Sequence, residues 1–289
     1  MMQVMPAKPP TAKQENSPPS RGIAVIFSDC VVQNYTPELA FKEIRRHWKK
    51  WDGKVKPSCY VVGISGGVDS SCVAGLTTAI FGKEKVVGVS MPCHGQSDMW
   101  AVDKVFEHLK IARLEVNIGS MFDAAVGQLQ RNGISPTEVC TTNLPARIRM
   151  TMLYAVAQSV GGIVLNTCNR SESVVGNDTL FGDDCGSYAP IQRLTKTEVR
   201  GIAEFVGLPK ELVEKTPIDG LQPLSDEERL GVTYDAIDAY IRNTGPVSDK
   251  DKAHIEDLLY RNLFKLKMIR IDGPDFAHYP DHVRAEFGV

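Results

Sequence analysis

The 289-residue sequence has no run approaching the ~18 consecutive apolar residues of a membrane-spanning helix, and its first twenty residues lack the apolar centre of a signal peptide. A cytoplasmic protein with no membrane partner is therefore expected. A basic excess is missing too: 33 Lys+Arg stand against 35 Asp+Glu, for a net charge of -2. That balance lacks the footprint of an electrostatic nucleic-acid binder and favours small-molecule partners. The seven cysteines (Cys30, Cys59, Cys72, Cys93, Cys140, Cys168, Cys185) form no Cys-x-x-Cys pair and no Cys/His cluster at zinc-ligand spacing. Neither a disulfide framework nor structural zinc is expected, and reduced thiols suit an intracellular setting. The glycine-rich signatures Gly-x-x-x-x-Gly-Lys-Ser/Thr and Gly-x-Gly-x-x-Gly are likewise absent.

What is present is an ordinary globular composition, 43% hydrophobic and 24% charged, with length for one large domain or two small ones. Residues 1–22 hold five prolines and little to bury, so a disordered tail is expected there, followed by a single domain over 23–289. Thr36-Pro37-Glu38 reads as a helix start, because Thr can cap free N–H groups and Pro at the first helical position sacrifices no bond. Ala40, Ile44, Trp48 and Trp51 then recur at helical spacing, as expected of a core-facing helix. Short apolar or β-branched runs follow at 59–64, 86–91, 112–116 and 162–166, with helical segments at 69–81, 97–109, 119–131 and 139–159 between them. Strands alternating with helices predict an α/β fold, a doubly wound, mostly parallel sheet with helices on both faces. Beyond 195 the chain reads as helical, at 195–206, 233–243 and 249–264. In such sheets ligands bind beyond the carboxyl ends of the strands, after Ile64, Met91 and Asn166.

Gly63-Ile64-Ser65-Gly66-Gly67-Val68-Asp69-Ser70-Ser71 carries the most information. An apolar strand runs into Ser-Gly-Gly, and Asp-Ser-Ser opens a helix. Paired glycines admit an anion close to the backbone, while hydroxyls and the N–H groups of the helix start point at it. An acidic residue in a phosphate cradle repels the phosphate unless a cation intervenes, which makes Asp69 a natural Mg²⁺ ligand. The motif resembles that of the ATP pyrophosphatases, which cleave ATP between its α and β phosphates and adenylate a substrate, and the resemblance implies the same α/β fold.

Downstream segments narrow the resemblance. Asn143-Leu144-Pro145-Ala146-Arg147-Ile148-Arg149-Met150 begins a long helix on which two arginines two apart cannot share a face. Either one meets a ligand while the other forms an ion pair, or both are solvated. Thr167-Cys168-Asn169-Arg170-Ser171-Glu172 follows a strand, then Gly176 and Thr179-Leu180-Phe181-Gly182-Asp183. Leu194-Thr195-Lys196-Thr197-Glu198 puts a lysine at a helix start, unfavourable by the dipole unless an anion shares the site. With Asp226-Glu227-Glu228-Arg229-Leu230-Gly231-Val232-Thr233-Tyr234-Asp235-Ala236-Ile237-Asp238, these segments resemble NAD synthetases over roughly 35–270.

The resemblance implies amidation of deamido-NAD to NAD with ammonia, through an adenylated carboxylate, with ATP as co-substrate and Mg²⁺ as cofactor. It implies that Gly63, Ser65, Gly66, Gly67, Asp69, Ser70, Thr167 and Lys196 bind ATP, and that Asp69 and Glu172 hold Mg²⁺. Arg147, Asp183 and Lys265 would bind the dinucleotide, with Asp69, Asp183 and Lys196 central to catalysis and Asp183 near the ammonia. A homodimer is implied, with the helix around 143–159 contributing. Departures stand at Asp184, Cys185 and Ser187, where the family often has Gly-Asp-Gly-Gly and a later aspartate, at Ile218 in place of a threonine, and at Phe264 and Leu266 beside Lys265. The stretch 216–224 reads as a lid. His94, in the loop after the second strand, is the one histidine placed where adenine would bind. Rival readings are a different acceptor on the same ATP chemistry, or a nucleotide-binding regulator without turnover. The short stretch ahead of residue 35 leaves no room for an amidase domain, so free ammonia is the expected nitrogen donor.

Overall fold

The computed structural model describes residues 35–96, 98–215 and 225–266, all within one compact unit that begins at Tyr35. The tail expected over 1–22 and the lid expected over 216–224, with Ile218, lie outside the described residues. Helix α1 (Pro37–Val55) begins as its sequence predicts, with the Leu39 N–H donating to the Thr36 hydroxyl at 3.2 Å and Pro37 in the first turn. Its apolar stripe seats the fully buried Trp48, whose ring stacks on Tyr188 with centroids 4.7 Å apart.

The chain then alternates: β1 (Tyr60–Gly63), α2 (Val68–Phe81), β2 (Val86–Ser90), α3 (Met99–Leu109), β3 (Ala112–Glu115), α4 (Gly119–Arg131), α5 (Glu138–Ser159) and β4 (Ile163–Val164). The four strands are parallel in the order β3-β2-β1-β4. Because side chains alternate across a strand, β1 feeds two cores. Tyr60 and Val62, with Ile64 beyond them, pack with α2, α3 and the later helix α7 (Lys196–Phe205), whereas Cys59 and Val61 pack with Leu153 and Ala157 of α5. Both faces are covered, which makes the sheet doubly wound.

One expectation needs correction. The segment 112–116 reads as a strand of a sheet covered on both faces, yet all four residues of β3 are exposed. It is an end strand, and Arg113 with its partners Asp103 (2.7 Å) and Glu115 (2.9 Å) gives it the charged character that discourages edge pairing.

After β4 the fold is helical: α6 (Arg170–Val175), α7, α8 (Lys210–Val213), α9 (Asp226–Leu230), α10 (Tyr234–Arg242) and α11 (Asp249–Leu266). The turn-length helices α6, α8 and α9 carry too little periodicity for a sequence pattern to find. No described helix is long and apolar enough to cross a membrane. The order reverses between β1 and β4, which leaves a crevice at their carboxyl ends.

Candidate active site

A cavity of about 610 Å³ occupies that crevice. Gly63, Ser65, Gly67, Asp69 and Ser70 line it from the β1 side and Thr167 from the β4 side, with Glu172, Asp183, Lys196 and Lys265 completing the group. Gly66 supports the loop from behind: its φ is +78°, and a Cβ there would stand 2.9 Å from the Ala101 Cβ and 3.0 Å from the Val102 nitrogen. Only glycine meets both demands. Ser70 stiffens the turn, since its hydroxyl donates to the Gly67 carbonyl at 3.1 Å and accepts the Ser65 N–H at 3.3 Å.

Behind the loop lies a charge cluster. The Lys196 ammonium, on a side chain 2% exposed, donates to Asp69 Oδ2 at 2.6 Å and Glu172 Oε1 at 3.0 Å, and sits 4.9 Å from the centre of the Tyr234 ring. A lysine at a helix start demands a neighbouring anion, and here the protein supplies two. Burial, reinforced by the Asp69 charge, pushes the Glu172 carboxyl up to about 8 against the pull of Lys196. Burial alone depresses a lysine, but Asp69 and Glu172 outweigh it and hold Lys196 well above its ordinary value.

Asn169 organises the cluster, although the sequence reading assigned it no part. Its Nδ2 donates to Asp69 Oδ1 at 2.7 Å, its Oδ1 accepts the Glu172 N–H at 3.0 Å, and its own N–H donates to Glu172 Oε2 at 3.3 Å. The last two bonds form a capping box on α6. The pattern Asn-x-x-Glu after a strand was the available signal.

The opposite end of the cavity is built differently. Asp183 presents accessible surface to the cavity, and Thr179 N–H donates to its Oδ1 at 2.7 Å, while the Thr179 hydroxyl donates to Asn143 Oδ1 of α5 at 2.7 Å. Desolvation by the cavity walls raises the Asp183 carboxyl above its usual range, against the bond from Thr179. Lys265 reaches over from α11, donating to the carbonyls of Gly176 (2.7 Å) and Asp178 (2.6 Å) and pairing with Asp178 Oδ1 at 3.2 Å. Burial pushes the Asp178 carboxyl up to about 6 in spite of that lysine. Asp178 also went unnoticed in the sequence, where it is one more polar residue in a loop.

Two expected residues stand apart. Arg147 is exposed and does not line the cavity; its Nε donates to the Leu180 carbonyl at 3.4 Å. Arg149, two residues on, does line it and donates to the Met91 carbonyl at 2.9 Å. The two arginines thus diverge as helical geometry requires. His94 is exposed, does not line the cavity, and pairs with Asp123 at 3.2 Å. Among the departures, Asp184 Oδ1 accepts from Asn166 at 2.8 Å, which ties the loop to the end of β4.

The fold and this cavity define an open parallel α/β protein of the kind that receives ligands at a topological switch point. The NAD synthase family model matches residues 44–269, and the chain belongs to that family. The NH(3)-dependent NAD(+) synthetase of Pyrococcus horikoshii is 44% identical over 183 residues, covering 62% of this chain and 68% of that protein. Its namesake from Pyrococcus furiosus is 36% identical over 222 residues, covering 72% and 85%. Among solved structures, the NMN synthetase of Francisella tularensis superposes with a TM-score of 0.76 at 27% identity, covering 84% of this chain and all of that one. The NAD+ synthetase of Burkholderia pseudomallei gives 0.71 at 25% identity, over 87% and 96%.

Proposed function

We propose that this chain converts deamido-NAD to NAD with ammonia in the cytoplasm, at the cost of ATP. The observation that carries the reading is the convergence on one cavity of the loop holding Ser65, Gly67 and Ser70, the Asp69–Lys196–Glu172 cluster, and the separate acid Asp183. In the first step a nicotinate carboxylate oxygen bonds to the α phosphorus of ATP while the bond to the bridging oxygen breaks, releasing pyrophosphate. In the second, ammonia bonds to the activated carbonyl carbon, the bond to AMP breaks, and one proton leaves the nitrogen.

The phosphate loop and Thr167 would bind ATP, with Gly63 at the end of β1 beneath them. Lys196 would bring fixed positive charge to the phosphates, where charge shifts in the transition state. Asp69 and Glu172, which share the Lys196 ammonium, would hold Mg²⁺: they are hard oxygen donors, and a divalent cation would relieve the repulsion that adds to burial in raising Glu172. Among the described residues no three His, Cys, Asp or Glu groups gather as a metal site, so phosphate and water oxygens would complete the shell. Bound there, Mg²⁺ would neutralise the developing phosphate charge. Ammonium is no nucleophile; Asp183, with its raised pKa, would hold it and accept its proton. Lys265 would support the dinucleotide end of the site. Arg147 projects from the exposed side of α5, the helix expected at a homodimer interface, where it would meet dinucleotide beside a second copy.

A second reading follows from the NMN synthetase superposition and the Asp184, Cys185 and Ser187 departures: a mononucleotide acceptor with the same chemistry. Incubation with ATP, Mg²⁺ and ammonium, plus either deamido-NAD or nicotinate mononucleotide, separates the two. Equal amounts of NAD and AMP are expected from the first substrate. No NAD above an Asp69→Ala control sinks the proposal, and faster turnover of the mononucleotide transfers it to the second reading. ATP binding with no product from either substrate would mark a regulator.

A further inference from the structure

A helix leaves its first N–H groups without acceptors of its own. In α7 each of the first three is met by a side chain. Lys196 N–H donates to Ser171 Oγ at 3.0 Å, Thr197 N–H to Asp238 Oδ2 at 2.8 Å, and Glu198 N–H to the cap Thr195 Oγ1 at 3.5 Å. Ser171 Oγ in turn donates to Asp238 Oδ1. One carboxylate from α10 therefore joins two elements: α6, where Ser171 precedes Glu172, and α7, whose first residue is Lys196. Ser171 is fully buried and Asp238 only 7% exposed, and neither lines the cavity.

Asp238 does not act in isolation. Residues four apart on a helix share a face, and Tyr234, Asp238 and Arg242 form such a stripe on α10. Tyr234 places its ring beneath the Lys196 ammonium, and Arg242 donates to both oxygens of Glu198, at 2.8 and 2.7 Å. All three thus meet the turn that carries Lys196. The demand on that turn is strict, because the ammonium must reach Asp69 at 2.6 Å and Glu172 at 3.0 Å together. A slip of one residue along α7 moves a side chain by about 1.5 Å and turns it by about 100°. The bonds to Asp238 and Ser171 block that slip, and a carboxylate also suits the positive end of the helix dipole.

We infer that Asp238 is a positioning residue for the proposed amidation: through Ser171 and the Thr197 amide it fixes the spacing of Glu172 and Lys196 from behind the cavity wall. The inference rests on the proposed function for its kinetic test and has a second readout that does not. Asp238→Ala strips both acceptor oxygens. Asp238→Asn keeps one oxygen for the Thr197 N–H and offers its amide to Ser171 Oγ, so it serves as the conservative rescue.

In the full-length protein, Asp238→Ala is expected to lower kcat by ~10²-fold, the scale of a ~1 Å misplacement, with KM for ATP changing far less, and Asp238→Asn to restore most of the loss. Ser171→Ala, which cuts one arm, should show the same pattern more weakly. Independently of turnover, Asp238→Ala should speed hydrogen exchange at the Lys196 and Thr197 amides and shift the side-chain ¹⁵N resonance of Lys196. A kcat equal to the parent's, a change confined to thermal stability, or an unmoved Lys196 resonance overturns the inference. If Asp238→Ala does not fold, Ser171→Ala decides: a parental kcat and an unmoved Lys196 resonance in that variant overturn it. A parent protein that makes no NAD would remove the amidation reading, while the Lys196 resonance still decides this one.

Discussion

The two ends of the cavity both raise a carboxyl, but they differ in what meets it. At the Asp69 end all four carboxylate oxygens of Asp69 and Glu172 have a donor, from Lys196 or Asn169, and the lysine is almost wholly enclosed. At the Asp183 end the carboxylates of Asp178, Asp183 and Asp184 crowd together, Lys265 is committed largely to carbonyls, and Asp183 keeps surface open to the cavity. The first end is an enclosed frame in which Lys196 and Asn169 meet every carboxylate oxygen. The second retains a proton-active acid, suited to a substrate that must lose a proton.

Breaking the frame has the largest expected effect. Lys196→Met leaves Asp69 and Glu172 facing one another and, in the proposed reaction, removes charge from the phosphates; NAD formation should fall by ~10²–10³-fold, the cost of losing one preorganised transition-state donor. Stability in urea should fall by about 3–5 kcal/mol, since a buried pair is broken from one side. A variant as stable and as active as the parent would mean that the cluster is neither buried frame nor phosphate partner.

Asp183→Asn tests the other end. The site keeps its shape and loses the proposed base, so turnover with ammonium should drop by about 10²-fold, within the ordinary range for a positioned acid or base. Stability should barely change. Equal kcat for parent and variant at saturating ammonium would show that the two ends do not divide the chemistry in this way.

The smallest effect concerns pH. The folded-state pKa of Asp178, about 6, lies above its ordinary 3.8, so the folded chain binds this proton more tightly than the unfolded chain does. Its contribution to stability is fully present below about 3.8 and is lost as pH rises through about 6. Asp178→Asn stays neutral throughout. The stability of the parent minus that of the variant, measured by denaturant titration, should decline across this window, and a flat difference would place Asp178 in ordinary solvent.

The residues that sequence reading located most readily are those whose partners are near in the chain. The Ser-Gly-Gly loop is contiguous from Gly63 to Ser71, and its glycine and hydroxyl requirements are local backbone demands. The Thr36 cap, the Trp48 stripe and the alternation of strands with helices were legible for the same reason. Exposure of β3 was not, because a strand's place in the sheet order depends on which neighbour reaches it. Arg147 and Arg149 could be told apart in direction but not in destination, since the elements that close the cavity against their helix lie elsewhere in the chain.

By itself the sequence determined an α/β chain with a glycine- and serine-rich loop at the end of its first strand, because capping, glycine conformation and hydrophobic period act over a few residues. Tertiary structure alone decided the charge cluster and its support. Lys196 meets Asp69 across 127 residues of chain, Thr197 meets Asp238 across 41, and Lys265 meets Gly176 across 89. Pairings at such separations leave no local pattern, since they form only when packed helices deliver their side chains to one point.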